Sequence, residues 1–108
     1  MNMDEIYKSI NELQGMVSVN LGVLSSRVNS IVMGNSDINY IEHTMDEILD
    51  CMMVQYNEGL PIFIKLLNYI AIINEEVAIS YVNIHNDIFD TKIRKLKSQE
   101  FSFLFFNV

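Results

Sequence analysis

Residues 4–33 read DEIYKSINELQGMVSVNLGVLSSRVNSIVM, and the spacing of their apolar side chains decides the fold class. Ile6, Ile10, Leu13, Val17, Leu21, Leu24, Val28 and Ile31 follow one another at intervals of three or four, the signature of one helix face. The spacing predicts a helix from about Asp4 to Met33, roughly 45 Å long at ~1.5 Å per residue. Asp4 and Glu5 fall in its first turn, where carboxylates favour the helix macrodipole, and Gly34-Asn35 supplies a left-handed stop. Between Leu13 and Ser36 the only charge is Arg27, and Met16, Val19 and Val23 form a second apolar patch off the main stripe. A helix apolar on two sides asks for more than one neighbour. A row of small residues, Gly15, Ser18, Gly22, Ser25 and Asn29, runs alongside. Glycine costs about 1 kcal/mol in a helix interior, a cost that close approach of another backbone would offset. Gly15, Val19, Gly22 and Val23 are therefore the expected dimer interface.

Downstream, Ser36 or Asp37 is the expected N-cap of a second helix striped by Ile38, Ile41, Met45, Ile48 and Met52 and widened by Leu49, with Asn57-Glu58-Gly59 as its end. Pro61 suits the first turn of a third helix. Phe63, Leu66, Ile70, Ile73, Val77, Tyr81, Ile84 and Ile88 keep the three-four rhythm, and the basic residues Lys92, Arg94, Lys95 and Lys97 fit its last turn. The expected architecture is an all-α, dimeric bundle of three helices, two of them long and amphipathic, or of four if the third breaks near Asn83 to Asn86. Residues 1–100 form the helical domain on this reading, and 101–108 form an apolar aromatic tail that must dock somewhere, since exposed it would promote aggregation.

Composition narrows function more by exclusion than by indication. With 108 residues, half of them hydrophobic, and a net charge of -7, the chain can bury a core but offers no cationic surface for phosphates. Nucleic acid is not an expected ligand. The lone Cys51 cannot form an intrachain disulfide, which fits a reducing, cytoplasmic setting. The acidic start, Asp4-Glu5, is unlike a secretory signal, and the apolar run Leu60 to Ile73, interrupted by Lys65 and Asn68, falls short of the ~20 residues a membrane span needs. Abundant Ile and Asn with scarce Ala reflect an AT-rich coding sequence, such as that of a low-GC bacterium or a phage.

His43, Glu47 and Asp50 share a helix face with Glu42 and Asp46 one residue round, a spacing compatible with a hard metal. Neither His43 nor His85 follows a Glu by three residues, so the dinuclear carboxylate motif is missing and no metal or other cofactor is expected. His85, among Asn83, Asn86, Asp87 and Asp90, reads as structural. Cys51 beside Met52 and Met53 reads as a small buried hydrophobe. There is no phosphate-cradling glycine loop, paired-cysteine motif or Gly-x-Ser-x-Gly elbow, so an enzyme is not expected.

The excess of apolar surface points instead to a non-catalytic helical module: a small regulator, inhibitor or adaptor that occupies a partner protein and itself dimerises. Phe101, Phe103, Leu104, Phe105 and Phe106 are the expected apolar contacts. Glu42, Asp46, Glu47 and Asp50 form an acidic face suited to a basic groove, as a phage-encoded inhibitor of a host factor would use. An immunity-type protein protecting against a toxin or bacteriocin is the alternative.

Overall fold

The computed structural model describes residues 2–89 and is helical throughout: α1 (Met3–Val32), α2 (Ile38–Met52), α3 (Tyr56–Ile73) and α4 (Glu75–Ile88), with no strand among the described residues. The chain divides into two compact units, Met1–Phe63 and Ile64–Val108, and the boundary falls inside α3.

In the first unit α1 begins and ends where its local chemistry says it should. Asn2 accepts from the Glu5 N–H at 2.9 Å while the Glu5 carboxylate accepts from the Asn2 N–H, a reciprocal capping box that satisfies two otherwise orphaned donors. At the other end Gly34 and Asn35 both take positive φ, 108° and 70°, and the Gly34 N–H donates to the Ile31 carbonyl at 2.9 Å. Of the two expected caps for α2, Asp37 does the work, its side chain accepting from the Asn39 N–H at 2.9 Å.

α1 packs on α2, burying Val17, Leu21, Leu24, Val28 and Ile31 of the first and Ile41, Met45, Ile48, Leu49 and Met52 of the second. The stripe is not core along its whole length. α1 has 30 residues against 15 in α2, so at ~1.5 Å per residue it outruns its neighbour by about 20 Å. The first part of the stripe lies on the overhang, with Ile6, Ile10 and Leu13 exposed by 37%, 46% and 49%.

Two boundaries differ from expectation. α2 stops at Met52 rather than at Asn57-Glu58-Gly59, and α3 begins at Tyr56 after only three intervening residues. Gln55 holds the joint: its side-chain amide donates to the Gln14 carbonyl at 3.1 Å and its side-chain oxygen accepts from Ser18 Oγ at 3.0 Å. Gly59 is buried in the new helix because it must be. A Cβ there would sit 2.5 Å from Cγ of Met52 and 3.6 Å from Leu21 Cδ2. Pro61 consequently lies past the first turn of α3. Pro61 and Asn57 are both exposed, so the carbonyl that proline leaves without a helical donor is within reach of water.

In the second unit the third helix does not run on to Lys97, nor does it break near Asn83 to Asn86; it breaks at Asn74. That residue is extended (φ -161°, ψ 95°); its N–H donates to the Ile70 carbonyl at 2.7 Å, and its side chain accepts from the Val77 N–H at 3.2 Å. One residue thus closes α3 and caps α4, with Glu75 and Glu76 in the favourable first turn. The break also turns the buried face. Ala78, Tyr81, His85 and Phe89 are buried, whereas Ile84 and Ile88 of the expected stripe are exposed. The last part of the expected third helix, with Lys92, Arg94, Lys95 and Lys97, lies outside the described residues, as does the tail.

Candidate functional site

Where α1 and α2 meet, Asn20, Val23, Leu24, Arg27, Glu47, Asp50 and Cys51 line a half-open cleft of about 330 Å³. α1 contributes the apolar wall and the one cation, and α2 contributes the carboxylates. Arg27 forms a part-buried ion pair with Glu47, and its guanidinium lies over the Tyr40 ring at 5.8 Å from the centroid. Glu47 Oε1 is also 3.1 Å from His43 Nε2, one helical turn back. Sequence reasoning placed Glu47 in an open acidic face; the structure gives it two partners. Arg27 is the residue that reasoning passed over. Twenty positions separate it from Glu47, so no spacing rule links them, and the only hint was an isolated cation in an otherwise uncharged stretch.

Of the remaining expected contact residues, Asp50 lines the cleft with Glu47, Asp46 is exposed, and Glu42 is half-buried one turn before. Val23 borders the cleft and Val19 is exposed by 69%. Gly15 and Gly22 are open: among the described residues nothing lies within 4 Å of where a Cβ at either would sit. Phe101, Phe103, Leu104, Phe105 and Phe106 lie outside the described residues.

The Cys51 thiol is buried, and burial first, then the Asp50 and Glu47 carboxylates, push its pKa above the ordinary value; it stays protonated at neutral pH and is a poor nucleophile. Among the described residues no three His, Cys, Asp or Glu side chains gather as a metal site would require. A guanidinium, two carboxylates and an apolar wall together can orient a polar group of a partner.

The second unit holds one buried imidazole. His85 is fully buried, with Nδ1 2.9 Å from Asn86 Oδ1 and its ring tilted against Phe89 at 5.0 Å between centroids. Burial lowers its pKa, and the Asn86 hydrogen bond opposes that shift without cancelling it. Asn68 Oδ1 is buried without a hydrogen-bond partner among the described residues. No helix among the described residues is long and apolar enough to cross a membrane. No protein family, curated protein or solved structure matches the chain.

Proposed function

We propose that the protein is a non-catalytic helical interaction module, a small regulator, inhibitor or adaptor that works by covering a surface of another protein. The observation that carries this reading is the apolar surface of α1. Met16, Val19 and Val23 are exposed by 65%, 69% and 55% on one side of the helix, and the overhanging stripe is exposed on another. Clusters of this kind, rimmed by polar residues, are features of interaction sites rather than of ordinary monomer surfaces. Val23 adjoins the cleft, so a partner seated on the Met16–Val19–Val23 patch would reach Arg27 and the carboxylates of Glu47 and Asp50 at its edge. Apolar contact would supply affinity there, and the charged edge would supply orientation and salt-sensitive association.

Affinity capture from the native host tests this reading, comparing the parent protein with a Val19→Glu/Val23→Glu variant. A protein retained in stoichiometric amount by the parent and lost with the variant supports it. Equal retention by both would place the recognition surface elsewhere, and no retained protein would reject the module reading.

A further inference from the structure

We infer that the overhanging half of α1 is a self-association surface, and that its occupant is the same segment of a second copy laid antiparallel. This deepens the interaction-module reading and rests on it, by assigning one of the two exposed faces to the chain itself. Met3, Ile6, Tyr7, Ile10 and Leu13 fall on one side of the overhang and expose between 37% and 60% of their surface. They continue, in the same three-four register, the run from Val17 to Ile31 that α2 covers. The charges of this segment, Asp4, Glu5, Lys8 and Glu12, fall on the opposite side of a helical wheel. The face is therefore uncharged over about three turns, and its complement must be an uncharged apolar face of similar length.

A second α1 has that face. In heptad terms Met3, Ile10 and Val17 are a positions, and Ile6 and Leu13 are d positions. Antiparallel pairing sets a against d, which gives four layers: Met3 on Leu13 of the second copy, Ile6 on its Ile10, and the two reciprocal pairs. The flanking e and g residues nearest these layers are Tyr7, Ser9, Gln14 and Met16, so no like charges oppose one another. Within each copy the buried part of the α1 stripe, Val17 to Ile31, lies beyond the four layers, and the joint after α2 reaches back only to Gln14, through the Gln55 side chain, on the flank of the Leu13 layer. A parallel pair would instead bring both acidic first turns together and stack the two α2 helices at the same level.

The side chains named would bury on the order of 500 Å² per copy, or about 1,000 Å² in all, the lower bound for specific association. The dimer is thus expected to dissociate on dilution. The face earlier assigned to dimerisation from sequence, Gly15, Val19, Gly22 and Val23, shares its side of the helix with Glu12 and is left to the other partner.

The test is sedimentation or light scattering of the full chain over a concentration series, with Ile10→Glu and Val19→Glu as the paired variants and circular dichroism to check helicity. The expected result is a monomer–dimer equilibrium in the micromolar range, abolished by Ile10→Glu and unchanged by Val19→Glu. In a Cys51→Ala background, mixed Ile6→Cys and Ile10→Cys proteins should cross-link to each other more readily than either does to itself, which marks the antiparallel register. A monomer at every concentration, or a dimer that survives Ile10→Glu, overturns the inference. A monomer whose melting temperature falls on Ile10→Glu would show that another segment of the same chain covers the stripe. Any of these leaves the Val19–Val23 capture experiment to decide the module reading by itself.

Discussion

Alanine in place of glycine should act with opposite sign at two helical positions of this chain. At Gly22, midway along α1, an added Cβ meets nothing within 4 Å, so Gly22→Ala should realise the helix-propensity difference of about 1 kcal/mol and stabilise the fold. At Gly59 the same methyl would sit 2.5 Å from Cγ of Met52, well inside the ~3.5–4.0 Å at which carbon atoms rest in contact. Cγ lies near the root of that side chain and Met52 is almost fully buried, so the overlap cannot be relieved by swinging a free end. Overpacking of this kind costs about 1–3 kcal/mol, and the propensity gain in a first turn is only a fraction of 1 kcal/mol. Gly59→Ala should therefore lose about 1–2 kcal/mol, several degrees in melting temperature for a chain of this size. Urea unfolding of both single variants, and of Gly59→Ala in a Met52→Ala background, measures the terms separately. Removing Cγ should turn the Gly59→Ala effect neutral or favourable, giving a coupling of about 1–2 kcal/mol between the two sites. If Gly59→Ala stabilises as Gly22→Ala does, the end of α2 and the start of α3 are not in the contact described.

Three further outcomes are expected. His85 has a folded-state pKa below its ordinary value near 6.5, so the unfolded chain takes up the proton first as pH falls; this contribution to stability is complete above pH 6.5 and declines below it, at no more than about 1.4 kcal/mol per pH unit. Urea midpoints between about pH 7.5 and pH 5.5 should show that decline in the parent and a weaker one in His85→Gln, and equal slopes would remove His85 as the cause. Asn74→Ala deletes the α4 cap and should cost about 1 kcal/mol, read as a lower unfolding midpoint, whereas Asn74→Asp should retain most of the stability. Asn68→Leu removes a buried carbonyl that has no partner among the described residues, at nearly constant volume, so thermal stability should hold or rise; a loss of more than about 1 kcal/mol would show that Oδ1 is satisfied after all.

What the sequence disclosed follows from how local each signal is. The stop of α1 at Gly34-Asn35 and the cap at Asp37 depend on residues within a few positions of one another, and both stand. Asn74 was legible in principle, because an Asn followed by Glu75-Glu76 is a cap with an acidic first turn. It was masked because one extended residue leaves the count of three and four undisturbed, so the apolar rhythm runs straight across the break. Pro61 misled in the other direction: proline favours a first turn, yet α3 begins five residues earlier, anchored by Gln55 on α1. The Arg27–Glu47 pair was not legible at all, and the excess of apolar surface was legible without the half of the α1 stripe on which it lies. Both depend on where α2 ends against α1, a tertiary fact that periodicity within one helix does not contain.

The mismatch in length between α1 and α2 makes α1 continuous in its hydrogen bonds and divided in its energetics. Residues 17–31 are held by the core and should open only with it, while the turns before Leu13 rest, among the described residues, on intrinsic helix propensity and one capping box, too little to keep so short a helix fully formed in water. Whatever covers that segment must therefore supply its ordering free energy as well as the contact. Affinity then becomes tunable from the uncovered side, since Gly15→Ala would strengthen binding by pre-forming the helix, and loss of the Asn2 cap would weaken it. Recognition by this arm would be set as much by how nearly it is already a helix as by the side chains it presents.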